Sequence, residues 1–157
     1  MADGLKSSIS AILERTKAQV LQNMQTLNIN ASGRTAASMA VWSDDKGVRL
    51  GLRGDSHAPA ATLEVGRAGG RVPAGFYEII KQWTRDKGLS FPNERERGTF
   101  AYFVARKIAR EGTQRHRIPA DVYSTPARQA VPAIRETLAK LIFDGIVQTG
   151  TLTTKLH

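Results

Sequence analysis

Residues 38–52, SMAVWSDDKGVRLGL, decide the fold class of this 157-residue chain. Apolar and polar side chains roughly alternate over residues 38–42 and again over residues 47–52, and a period of two is typical of β-strands. Asp44, Asp45, Lys46 and Gly47 lie between the two runs and are residue types that favour a tight turn. This stretch therefore predicts a β-hairpin within a chain whose other patterns are helical.

Apolar residues recur at helical spacing on both sides of the hairpin. Residues 4–27 are apolar on one face and charged on the other, which predicts a long amphipathic N-terminal helix. Residues 62–65 fit a short strand or a helical turn. Caps, prolines and glycines predict four further helices. The first covers residues 34–37 with Ser32 as its cap, and the second runs from Phe76 to Gly88. The third runs from Asn93 or Thr99 to Glu111. The fourth runs from Thr125 to Val147, with a kink or a fresh start at Pro132.

This order predicts an α+β fold with one small antiparallel, hairpin-based sheet, packed against the long N-terminal helix and further C-terminal helices. Hydrophobic residues make up 41% of the chain, which is enough for one core. We expect a single domain over residues 1–147. Residues 148–157, QTGTLTTKLH, lack an apolar face and predict an extended or flexible arm. The predicted core residues are Ile79, Trp83, Leu138 and Leu141.

Several classes of site are excluded by composition and spacing. The chain has no cysteine, which rules out disulfides, zinc–thiolate sites and cysteine nucleophiles, and a reducing compartment fits. The histidines, His57, His116 and His157, are far apart, so no metal site is predicted. No GxSxG elbow or acid–base pair is present, so we expect neither an enzyme nor a cofactor. No segment reaches the ~18–20 apolar residues that span a bilayer, so we expect a soluble protein.

The net charge is strongly positive. Lysine and arginine number 23 against 14 acidic residues, which gives +9 at pH 7. This charge favours polyanions or acidic protein partners, and the sequence leaves both open. Phe100, Tyr102 and Phe103 are interleaved with basic residues, but their helical spacing predicts that they fill the core rather than stack on bases. The basic residues that we expect nearest to DNA are Arg106, Lys107, Arg110, Arg115 and Arg117.

Residues 63–76, LEVGRAGGRVPAGF, suggest a phosphate loop at first sight. A P-loop ends in Gly-Lys-Ser/Thr, but Arg71, Val72 and Pro73 stand at that point. The dinucleotide fingerprint GxGxxG fails as well, because Gly66, Gly69 and Gly70 have the wrong spacing. The stretch therefore predicts a pliable loop that leads into a helix begun by Pro73.

The order of three short motifs resembles the small head–tail connection proteins of tailed bacteriophages, the tail-component, tail-completion and neck proteins. In that family a helix-ending (A/T)SG(R/K) precedes a strand, a (V/L)E-x-G follows the hairpin, and a terminal helix begins after a proline-containing stretch. The matching residues here are Ala31-Ser32-Gly33-Arg34, Leu63-Glu64-Val65-Gly66 and Arg110-Glu111-Gly112-Thr113, followed by STPARQAVPAIRETL. The resemblance covers residues 20–145. Residues 76–111 depart from it by adding two helices.

The resemblance implies a structural, non-catalytic subunit of the virion neck or tail, assembled in the host cytoplasm. Such a subunit forms a homo-oligomeric ring between the portal or connector and the tail, with genomic DNA crossing its lumen without sequence specificity. On this hypothesis residues 63–72 face a neighbouring subunit, and the interface candidates are Arg34, Glu64, Arg67 and Arg71. The alternative hypothesis is a basic nucleic-acid-binding module without catalytic activity.

Overall fold

A computed structural model describes residues 2–29, 33–53, 60–114 and 120–153. The elements in chain order are α1 (Ala2–Thr26), α2 (Arg34–Ser38), β1 (Met39–Asp44), β2 (Gly47–Leu52), α3 (Ala60–Val65), α4 (Phe76–Asp86), α5 (Glu94–Glu111) and α6 (Ser124–Thr153). The predicted α+β class is confirmed. A two-stranded antiparallel sheet packs against the N-terminal helix α1, which also packs against α6.

The hairpin forms where the change of period predicts it. Met39 pairs with Leu52 at the open end and Asp44 pairs with Gly47 at the turn. The Asp44 carboxylate accepts a hydrogen bond from the Lys46 backbone N–H at 2.9 Å, as in an Asx turn. Gly47 has φ 136°, a conformation that suits glycine and explains its place after the acidic pair.

The long helices end at residues that their sequences mark. Asn28 ends α1 with φ 50°, and the backbone N–H groups of Asn28 and Ile29 bond the carbonyls of Gln25 and Met24. This is a Schellman motif, in which the left-handed residue satisfies the last helical carbonyls. Helix α4 ends in the same way at Gly88.

Helix α5 begins at the earlier of its two predicted start sites. The Asn93 side chain accepts a hydrogen bond from the Glu96 N–H at 2.9 Å, so Asn93 is the N-cap despite Gly98. Gly98 serves packing, because Tyr77 Oη lies 2.7 Å from the position that a Cβ at Gly98 would take. The small residues Gly98 and Ala101 are buried and let α4 and α5 pack closely.

The structure settles one open alternative and differs from two predictions. Residues 62–65, for which the sequence left a strand or a helical turn open, belong to helix α3. Helix α2 follows Gly33 without a side-chain cap, and Ser32 lies outside the described residues. Helix α6 is continuous past Pro132, so the predicted fresh start is wrong, and it ends at Thr153 rather than Val147. The predicted arm therefore begins with helix, and its residues 154–157 lie outside the described part of the chain.

The main core lies where α1 meets the segment that precedes α6. Val20, Met24 and Val122 are almost fully buried, and Leu63 from α3 and Met39 from β1 pack against them. The Asn23 side-chain amide donates to the Val122 carbonyl at 3.0 Å and fixes this segment on α1. We call α1, α2, the hairpin, α3 and α6 the body, and we call α4 with α5 the helical pair.

The predicted core was wrong at three of its four positions. Ile79 and Trp83 lie on α4 and are 52% and 38% exposed, and Leu138 on α6 is 37% exposed, while Leu141 is partly buried. Helical periodicity identifies an apolar face but does not say whether another element covers it. In the helical pair, α5 covers only the side of α4 that carries Ile80 and Thr84.

Candidate functional site

The glycine-rich loop is held by the end of α5, forty residues further along the chain. The Gly70 N–H donates to the Ala109 carbonyl at 2.7 Å, and the Thr113 N–H donates to the Arg67 carbonyl at 2.8 Å. The Thr113 hydroxyl in turn accepts from the Arg67 N–H at 2.9 Å. We call these contacts between residues 66–70 and 109–113 the clasp. Within the clasp, the Gly70 N–H satisfies the Ala109 carbonyl, which lies in the last turn of α5 and has no partner within that helix.

Two glycines make the clasp possible. A Cβ at Gly69 would lie 2.5 Å from the Arg110 carbonyl oxygen, and a Cβ at Gly112 would overlap the Arg67 carbonyl oxygen. Gly112 also has φ 79° and ψ −175°, a region that is essentially restricted to glycine. Gly69, within residues 63–76, thus allows backbone to approach backbone, so this glycine has a structural role that needs no phosphate.

The four interface candidates lie in different environments. Arg34 begins α2 and Arg71 follows the clasp, and both are exposed. Arg67 is partly buried, donates to the Arg71 carbonyl, and places its guanidinium carbon 5.6 Å from the centre of the Phe76 ring. Glu64 is buried, and its carboxylate accepts from the Tyr123 N–H at 3.4 Å. Burial and the nearby Glu64 charge raise the pKa of Tyr123.

Glu64 forms none of the ion pairs found among the described residues. Instead, the Glu64 backbone carbonyl accepts from the Ala120 N–H at 2.9 Å, while its carboxylate faces Tyr123. Both bonds hold α3 against the segment before α6. Glu64 therefore helps to close the core of its own chain.

The basic candidates that the structure describes lie on the outer face of α5. Arg106, Lys107 and Arg110 are exposed, and Arg110 pairs with Glu111. Arg115 and Arg117 lie outside the described residues. The expectation that the aromatics of α5 fill the core is wrong, because Tyr102 and Phe103 are 51% and 62% exposed and Phe100 is also exposed. The rings of Tyr102 and Phe103 meet edge to face at 5.6 Å.

An open groove of about 740 Å³ runs between α4 and α5 beside these aromatic rings. Its lining residues are Tyr77, Lys81, Glu94, Arg95, Gly98, Thr99, Tyr102 and Phe103. Glu94 bridges Lys81, Arg85 and Arg97 at 3.5, 2.9 and 3.0 Å. The hydrogen bond from Arg85 is the main reason that the pKa of Glu94 is lowered. The groove therefore combines aromatic walls with a cluster of cations that outnumber their carboxylate.

A second apolar surface lies on the C-terminal part of α6, within the predicted terminal helix. Ile142, Phe143 and Ile146 are 64–67% exposed, and Val147 is half exposed. We call these four residues the α6 stripe. The sequence LAKLIFDGIV over residues 138–147 indicates this exposed surface, because its apolar residues extend beyond one helical face.

No group of three or more histidine, aspartate or glutamate residues in the described part of the chain is placed to hold a metal ion, and the three histidines lie outside that part. Within the same residues, none of the helices has the length and apolar character needed to cross a membrane. Comparisons with protein-family models, curated proteins and solved structures find no match to this chain. The surfaces described above are therefore the basis for assigning a function.

Proposed function

We propose that this chain is a structural virion protein of a tailed bacteriophage, a ring-forming neck or tail-completion subunit. It joins the portal or connector to the tail and surrounds the channel through which genomic DNA passes. The ring assembles in the host cytoplasm, has no catalytic role and does not involve a membrane. The order of the three motifs and the terminal helix supports the phage assignment.

The observation that carries the proposal is the uncovered α6 stripe. Its exposed branched and aromatic side chains are unfavourable in water, and large exposed apolar patches are characteristic of protein interaction sites. A subunit that meets neighbours in a ring covers such surface on assembly. In such a ring, each subunit contacts its two neighbours through two different faces.

The basic residues fit a lumen that DNA crosses. Arg106, Lys107 and Arg110 are exposed on one helix and provide a sequence-independent attraction to phosphates. A channel protein needs attraction of this kind to be weak, since DNA has to move past it. The pairing of Arg110 with Glu111 reduces the local positive charge and so weakens the attraction to phosphates.

Native mass spectrometry of the purified chain tests the proposal, together with a search for the chain in purified virions. We expect an oligomer of one defined stoichiometry, or a monomer that assembles on portal or tail proteins. A chain that stays monomeric at all concentrations, alone and with those proteins, and that is absent from virions would contradict the proposal.

One observation favours a basic nucleic-acid-binding module as the second candidate. The exposed rings of Tyr102 and Phe103 lie on the same helix as Arg106 and Lys107, and aromatic rings beside cations are how proteins bind unpaired bases. This candidate predicts weaker DNA binding when Arg106, Lys107 and Arg110 are replaced with glutamine. The slope of log affinity against log salt concentration should become shallower by about one unit for each lost phosphate contact. Unchanged binding would contradict it.

A further inference from the structure

We propose that the α6 stripe of one copy of this chain docks in the α4–α5 groove of a second copy. The proposal rests on the ring-forming function and names the surfaces through which neighbouring subunits meet. Each copy then gives its stripe to one neighbour and its groove to the other. This is a head-to-tail contact, the type that closes into rings.

Helix α6 is apolar on two faces and covered on one. Ile134 and Leu141 are partly buried on the covered side, and α6 packs along α1. Ile142 and Ile146 are four residues apart, as are Phe143 and Val147, so the stripe forms two adjacent rows. A helix that is apolar around most of its circumference is stable when both faces are covered, and the chain itself covers only one.

The stripe is also large. Large apolar and aromatic residues have roughly 150–250 Å² of surface each, and the stripe residues are 50–67% exposed, so the stripe offers about 400–500 Å² of apolar surface. A stable interface buries about 800 Å² on each partner, slightly more than half of it apolar. The stripe is therefore large enough to form the apolar centre of one side of a stable interface.

The groove lies between α4 and α5, where a helix could be received. Tyr77 and Gly98 line it at the point where the two helices pack closely together. Tyr102 and Phe103 stand exposed along its wall and supply apolar contact area. An amphipathic helix that lays an apolar face into a groove is a recurring mode of protein recognition.

A second copy accounts for both surfaces at once. In this chain α6 packs on α1, and α4 packs on α5, so the stripe and the groove are left uncovered together. A pairing of two stripes about a twofold axis would leave both grooves open. Nucleic acid on the groove would leave the stripe open. One head-to-tail contact between copies covers both surfaces.

Two double variants separate the halves of this contact. The stripe variant is Phe143→Glu with Ile146→Glu, and the groove variant is Tyr102→Glu with Phe103→Glu. All four positions are exposed, so we expect both variants to fold, which circular dichroism checks. Lys140→Glu and Arg135→Glu on α6 are the controls, because both positions are exposed, lie outside the stripe and also make the chain more negative.

Native mass spectrometry and analytical ultracentrifugation then measure assembly of each variant alone and of an equimolar mixture. We expect each double variant alone to lose affinity by roughly 30-fold or more, as for other interface hot spots, while the controls assemble like the unmodified chain. The mixture keeps one intact stripe and one intact groove. It should therefore form a one-to-one heterodimer that does not grow further.

Each other result overturns the inference in a recognisable way. Loss of assembly in the stripe variant alone indicates pairing between stripes. Loss of DNA binding in the groove variant, with assembly intact, assigns the groove to nucleic acid. If both variants assemble like the unmodified chain, the inference fails while the ring stands. If the unmodified chain stays monomeric at all concentrations, alone and with portal and tail proteins, and is absent from virions, the proposed function fails as well.

Discussion

The body and the helical pair are stabilised in different ways. The core of the body joins Val20 and Met24 to Val122, residues about a hundred positions apart in the chain. The helical pair is built from neighbouring segments, with Ile80 and Ala101 buried and Glu94 bridging three cations at the surface. The body therefore depends on long-range apolar burial, and the helical pair on close local packing and charge.

The two regions are joined by hydrogen bonds of both backbone and side chains. The clasp connects the loop after α3 to the end of α5, and Lys87 at the end of α4 donates to the Asn28 carbonyl at 2.7 Å. Substitutions in the body, in the clasp and in the helical pair should therefore have separable effects. The comparison predicts that these effects decrease in that order.

The largest effect is expected in the body. Met24 is 1% exposed, and Met24→Ala should lower the free energy of unfolding by about 3 kcal/mol, because it leaves a cavity between α1 and Val122. Ile79→Ala is the control in the helical pair and should cost less, since that side chain is half exposed. Urea unfolding measures both. Equal losses would show that the helical pair is packed as tightly as the body.

Local patterns were enough to predict much of the fold. The hairpin, α1, α4 and the Asn93 cap of α5 follow from signals within a few residues: a change of period, a capping side chain and a glycine after the last turn. The core was not predictable in this way. Trp83 lies on an apolar face, but whether that face is covered depends on elements far away in the sequence.

The same limit applies to the candidate site. The spacing of Gly66, Gly69 and Gly70 excluded both phosphate-binding fingerprints, but the glycine-rich loop is explained by its contact with Ala109, Arg110 and Gly112. No short-range pattern links residues so far apart. Glu64 likewise accepts a hydrogen bond from Tyr123, fifty-nine positions later, which no local pattern in the sequence indicates.

The next effect tests the clasp. Gly112→Ala forces a side chain into a glycine-only conformation and against the Arg67 carbonyl, so we expect a loss of about 2–3 kcal/mol. Gly4→Ala is the matched control, because nothing lies within 4 Å of its Cβ position, and it should be neutral or stabilise α1 by about 0.5–1 kcal/mol. Equal shifts of the urea midpoint in the two variants would contradict a stabilising role of the clasp.

A smaller effect is expected at Glu64, which bonds α3 to the segment before α6. Glu64→Ala leaves the partly buried Tyr123 N–H without its acceptor and should lower the free energy of unfolding by about 1–2 kcal/mol. Arg71→Ala changes an exposed side chain of the loop after α3 and should leave stability unchanged. Arg71 is therefore the better position for testing the interface predicted from the sequence. Equal stability of the two variants would contradict the structural role of Glu64.

The smallest effect concerns the ion cluster of the helical pair. Because the cations around Glu94 lower its pKa below the ordinary 4.5, the folded chain binds a proton there less readily than the unfolded chain does. The cluster therefore contributes stability that is present above pH 4.5 and is lost as the pH falls through the lowered pKa. Urea midpoints measured from pH 6 downward should fall less steeply for Glu94→Gln than for the unmodified chain. Since these charges are exposed, 1 M salt should reduce the difference, and parallel pH profiles would show that the helical pair is held by packing alone.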